Sequence, residues 1–136
     1  MKMRLVKNWL KKWMQRSIKS APTHPNNRLK TRFIKAQDLT SAVGVSAKTF
    51  TILPRARVLN LEIDQGLIEA ERVWFGPFVS DISVLVSPGK AGFFAINIES
   101  TTRRGPAFLG QNTRNIEDYY DQLDKAVQAF KEVDLI

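Results

Sequence analysis

Between Thr49 and Ser100 the chain holds five short runs rich in β-branched and aromatic residues, joined by four links of two to six residues carrying Pro or Gly. The runs are Thr49 to Leu53, Arg57 to Ile63, Leu67 to Phe75, Phe78 to Val86 and Phe93 to Ser100. Parallel neighbours need crossovers of about a dozen residues or more, so links this short predict an antiparallel β-meander of four to five strands. Alternation then sorts the faces. Leu59, Leu61 and Ile63 oppose Asn60 and Glu62; Ile82, Val84 and Val86 share a row with Ser80; Phe94, Ile96 and Ile98 take one side and send Phe93 to the other.

The two ends of the chain have a different period. Ile116, Tyr119, Tyr120, Leu123, Val127 and Phe130 follow helical spacing, with Asn115 placed to cap, Glu117 and Asp118 in the first turn, and Lys125 and Lys131 late. This is a C-terminal amphipathic helix to pack on the sheet, which makes the fold class α+β. At the other end, Leu5, Val6, Trp9, Leu10, Trp13 and Met14 gather on one half of a helical wheel, and Arg4, Lys7, Lys11, Lys12, Arg16 and Lys19 take most of the other. Residues 2–19 therefore read as a basic amphipathic N-terminal helix. Ser20 to Asn27 holds two Pro and two Asn and reads as a linker, giving a helix-and-linker unit over 1–27 and an α+β domain over 28–136. Arg28, Lys30 and Arg32 alternate with Leu29, Thr31 and Phe33 as in a strand, and residues 36–47 show no clear period.

Catalytic constellations fail on spacing or composition. Without Cys there is no disulfide, thiolate nucleophile or sulfur-bound metal, and a cytoplasmic or other reducing interior is the expected setting. One His and no Cys give no zinc set, and His24 stands between two prolines in the linker. Ser87-Pro-Gly-Lys90 resembles a phosphate loop only in part, because Val84 stands where Gly is needed and Ala91 where a hydroxyl is needed. Glu62 with Asp64, and Glu69 with Glu71, share strand faces suited to Mg²⁺, but the lysine that a common metal nuclease adds is missing. The reading is a non-enzyme with no cofactor and no metal.

The charge is placed unevenly. From Met1 to Lys35 there are eleven Lys or Arg and no Asp or Glu, whereas the remaining 101 residues carry ten bases and thirteen acids. A formal net charge of +8 is thus a property of the leading segment, and such a segment attracts polyanions. Basic groups recur at Arg28, Lys30 and Arg32, at Arg55 and Arg57, and at Arg103 and Arg104. Together with Lys11, Lys12 and Arg16 they are the expected phosphate contacts of a nucleic-acid binder, with Trp74 or Phe93 as rings for stacking bases.

Gly92-Phe-Phe-Ala-Ile-Asn-Ile-Glu-Ser-Thr-Thr-Arg-Arg-Gly105, followed by Asn115-Ile-Glu-Asp-Tyr-Tyr-Asp-Gln-Leu-Asp-Lys-Ala-Val127, resembles the last strand, basic turn and helix of the Whirly, PUR-repeat and transcriptional-coactivator group. The resemblance implies single-strand DNA or RNA binding on the sheets and homo-oligomers formed through the helices. It covers about a third of the chain; the sheet here has less Lys, and Gly105 to Arg114 is a long link. The competing expectation is a membrane-surface or assembly-attached adaptor whose helix inserts Val6, Trp9, Leu10 and Trp13, since Trp9 and Trp13 lie one turn apart and suit an interface. An acid-free opening also admits organellar import, although it is led by Lys and contains few Ser. No apolar run approaches the roughly 18 residues a spanning helix needs.

Overall fold

The computed structural model describes residues 17–74, 78–104 and 110–134, with the side chains of the last helix described to residue 129. Within them lie β1 (Ser17–Lys19), β2 (Arg32–Lys35), α1 (Leu39–Ile52), β3 (Ala56–Glu62), β4 (Leu67–Val73), β5 (Val79–Pro88), β6 (Phe93–Arg104) and α2 (Gln111–Asp134). β3 to β6 form the expected meander, each strand antiparallel to the next. The far edge of β6 takes β1 and β2 end to end, which makes a sheet of six strands.

Three expectations change here. Thr49 to Leu53 is not a strand: Thr49 to Ile52 form the last turn of α1, and Leu53 is its C-terminal cap. The helix expected over 2–19 ends differently too. Ser17, Ile18 and Lys19 lie opposite Thr101, Ser100 and Glu99 as β1, and residues 1–16 fall outside the described set. The linker is likewise part of the body. Ser20 N–H donates to Ile98 O at 2.8 Å, Thr31 N–H donates to Ala21 O at 3.2 Å, and Ala21 N–H donates to Leu29 O at 3.3 Å. Residues 22–30 are therefore an excursion pinched shut at its base, after which the edge resumes as β2.

Both helices cover one face. Ile68 and Ala70 of β4, Ile82, Val84 and Val86 of β5, and Phe94, Ile96 and Ile98 of β6 are buried beneath them, as alternation requires. Phe50, Tyr119, Tyr120 and Leu123 fill the layer from the helix side, with the Phe50 and Tyr119 rings 4.8 Å apart. Tyr119 donates its hydroxyl to Ser46 O at 2.9 Å, joining the helices, and burial pushes its ionisation far above the ordinary tyrosine value. The Tyr120 hydroxyl lies 2.9 Å from Ser20 Oγ and 2.8 Å from Ile96 O, so it locks the start of the excursion to β6; burial raises its pKa as well.

The core changes character along the strands. At the end where β4 and β6 finish and α2 begins, the inward row becomes Arg72, Ser80, Ser100 and Thr102, and α2 meets it with Asn112 and Asn115. A hydrogen-bonded chain runs from Asn112 Nδ2 to Thr102 Oγ1 at 2.9 Å, from Ser100 Oγ to Asn112 Oδ1 at 2.8 Å, and from Asn115 Nδ2 to Ser100 Oγ at 2.9 Å. Buried polar groups are stable only when paired, so this chain fixes how α2 is set over the sheet.

Candidate nucleic-acid interface

The polar end of the core gathers three arginines around Trp74. Strand alternation puts Arg72 and Trp74 on the helix side of the sheet. There Arg72 Nη1 donates to Asp118 Oδ2 at 2.9 Å and Asn115 Oδ1 at 3.3 Å, and its Nε donates to Pro54 O at 3.2 Å. Trp74 Nε1 donates to the same Asn115 Oδ1 at 3.1 Å. Three guanidinium carbons surround the indole, at 4.7 Å for Arg72, 5.4 Å for Arg55 and 5.8 Å for Arg114 from its centroid. Arg55 reaches this position from a left-handed backbone, φ 63°, in the turn between α1 and β3. Such a conformation costs a non-glycine residue about 1 kcal/mol or more. Cation–π attraction to the indole face offsets part of that cost.

Arg72 is nearly buried and is balanced by Asp118. Arg55 and Arg114 are exposed and make no ion pair among the described residues, and the same holds for Arg104 opposite Val79. Ser17, the first residue of β1, lies opposite Thr101, three residues from Arg104. The acid-free leading segment thus enters the sheet at this same end.

On the open face of the sheet two arginines are spent. Arg57 Nε donates to Glu71 Oε1 at 2.8 Å, Arg103 Nη1 lies 3.4 Å from Glu71 Oε2, and Arg103 also binds Asp81 Oδ1 through Nε and Nη2. The hydrogen bond to Asp81, more than burial opposes, holds the Arg103 guanidinium above its ordinary pKa. Glu71, read from the sequence as half of a carboxylate pair for Mg²⁺, has both oxygens engaged by arginines.

The remaining basic residues do not join the cluster. Arg28 is held by Glu117 at 2.8 Å and Asp121 at 2.9 Å on α2. Arg32 points to the helix side, 5.0 Å over the Tyr120 ring and 3.7 Å from Asp124. Lys30 follows the short 3₁₀ turn Asn27–Leu29 within the excursion. Lys35 lies opposite Phe93, at the other end of β6 from Arg104. The eleven steps separating those ends span about 37 Å, several Debye lengths, so the two groups act separately in physiological salt. Of the expected phosphate contacts among the described residues, Arg55 and Arg104 lie at this cationic end with Arg114, whereas Arg28, Arg32, Arg57 and Arg103 face acids.

Phe93 projects from the open face as alternation foretold and is 43% exposed, with Phe33 on the adjoining strand 59% exposed. Trp74 is not a bare ring, since its faces are occupied by guanidiniums. Lys11, Lys12 and Arg16, and the helix face of Val6, Trp9, Leu10 and Trp13, lie outside the described residues. Sequence reasoning missed Arg72, Arg114 and Asn115 as members of the cluster. The signal for Arg72 is its place two residues before Trp74, which sets both on one side of a strand; nothing in the sequence marks Arg114. No helix among the described residues is long and apolar enough to cross a membrane. The chain matches no family model, and no curated protein matches it.

Proposed function

We propose that this is a small nucleic-acid-binding protein that grips the phosphates of a single strand with the cationic end of its sheet and the leading segment that enters there. One observation supports this above the others: Arg55, Arg104 and Arg114 lack acid partners among the described residues, at the end where an acid-free stretch with six cations in sixteen residues joins β1. Phosphate oxygens are the counter-charges such guanidiniums take bidentately. The indole with guanidinium planes on it favours an unpaired strand, since a splayed base stacks on an Arg plane whereas a paired one does not.

The test is a salt titration of the full chain against a single-stranded oligonucleotide, the matching duplex and anionic vesicles. Log affinity for the single strand is expected to fall linearly with log salt, and replacing Arg55, Arg104 and Arg114 together by Gln should flatten the slope by about 2, at about 0.7 per phosphate released. Binding indifferent to salt, or a slope unchanged in the triple variant, would remove the proposal. Tight binding to vesicles with none to oligonucleotide would establish the adaptor reading, which rests on Trp9 and Trp13.

A further inference from the structure

Nine large apolar side chains are exposed among the described residues, and five of them gather at one edge of the sheet. Val58, Leu59 and Leu61 belong to β3, Ile63 to the turn after it, and Ile52 to the last turn of α1 beside it. β3 pairs with β4 alone, so its other edge presents backbone N–H and C=O groups without a ladder. Monomeric proteins blunt such edges with Lys, Pro, a bulge or a covering element, and of these β3 carries a bulge. Neither Lys nor Pro occurs in Ala56–Glu62, and Val58 and Leu61, which face the helix side, are 36% and 42% exposed.

The bulge between Val58 and Asn60 decides what fits there. Val73 N–H donates to Arg55 O, and Arg57 lies opposite Glu71, so the backbone groups of Arg55 and Arg57 point to β4 and those of Ala56 and Val58 point away. The extra residue shifts the phase by one. Asn60 and Glu62, opposite Glu69 and Leu67, now face β4, and Leu61 points its N–H and C=O outward. Val58 and Leu61 are therefore alike in both respects: outward backbone groups, and side chains on the helix side opposite Ala70 and Ile68. Arg57 and Glu62 both project on the open side. In a regular strand, residues three apart would lie on opposite faces.

We propose that this edge binds a second copy of the chain, with β3 antiparallel to its mate about a two-fold axis between Leu59 and Asn60. That register places Val58 against Leu61 and Arg57 against Glu62, each twice. Apolar meets apolar, cation meets anion and donor meets acceptor, as a self-complementary interface requires. Charge selects this occupant over the leading segment of the same chain, which offers Glu62 a cation but has no acid for the terminal nitrogens of Arg57, a side chain 76% exposed that meets Glu71 through Nε alone among the described residues.

Sedimentation equilibrium of the full chain tests the contact. The wild type is expected to be a dimer, and Glu62→Arg, at a residue whose only side-chain partner among the described residues is Asn60, should weaken association about tenfold or more by setting two cations face to face. Arg57→Glu should do the same, and an equimolar mixture of the two variants should recover a dimer, because each then supplies what the other lacks. Should Arg57→Glu fold poorly for want of its bond to Glu71, Glu62→Arg with circular dichroism as a folding control still decides. A monomeric wild type, a dimer indifferent to Glu62→Arg, or one lost only on replacing Trp9 and Trp13 by Ala would overturn the proposal. Oligonucleotide salt slopes read on the same variants keep this outcome separate from that of the proposed function.

Discussion

Asn115 shows how one side chain ties the fold to the cationic end. It accepts from both Arg72 and Trp74 and donates to Ser100, all within the buried polar end of the core. Asn115→Leu fills similar space but takes the acceptor from Trp74 Nε1, while Arg72 keeps Asp118 and Ser100 keeps Asn112. At about 1–3 kcal/mol for a buried group left unpaired, the expected loss is about 1–3 kcal/mol, measured by urea denaturation. From sequence Asn115 reads as a helix cap because Asn favours that position. The helix in fact begins a turn earlier, at Gln111, after Gly110 in a left-handed conformation. A residue's capping preference reports what it can do locally, and here a tertiary partner in β4 takes precedence.

Among the elements, α1 is the one the sequence conceals. Its segment holds Val43, Val45, Thr49, Thr51 and Ile52, which favour strands, and Gly44 inside the helix. Its buried face includes Ser46 and Thr49, so a search for apolar period passes over it. Those hydroxyls are nonetheless satisfied within the helix, Ser46 Oγ donating to Ala42 O and Thr49 Oγ1 to Val45 O. The meander was legible because alternation and turn chemistry agree there. Gly66, with φ 68°, closes the β3–β4 hairpin against the Val86 carbonyl, where a Cβ would collide. What marks the start of α1 is Asp38, whose carboxylate accepts from Ser41 N–H at 2.8 Å, and that bond lowers its pKa. A lowered folded-state pKa means that Asp38 contributes its stabilisation above the unfolded value and loses it as pH falls through the folded one. Asp38→Asn should therefore leave stability near about pH 7 little changed, since Asn caps as well, and should flatten the decline between about pH 5 and pH 2. Thermal melts across that range read the difference.

For the whole molecule, electrostatics depends on pairing more than on counting. The sequence shows where the basic residues fall but not that Arg28, Arg57 and Arg103 spend their charge on acids distant in the chain. Only tertiary structure separates spent arginines from unspent ones. Removing an acid should consequently act like adding a cation. Asp81→Asn, which loosens Arg103 at the cationic end, is expected to strengthen single-strand binding severalfold at low salt and to steepen its salt slope by about 0.7. Unchanged affinity in a variant that folds normally would place Arg103 outside the strand's path.

The interrupted edge has a mechanical consequence. Any pull arriving through the leading segment enters the body at Ser17 and meets three rungs between β1 and β6 before it reaches Ser20, where Ile98 and Tyr120 converge on one hydroxyl. Those rungs form a short sacrificial splice, and Ser20 is the rivet behind it. Force can strip the splice and lengthen the tether while the layered body stays shut.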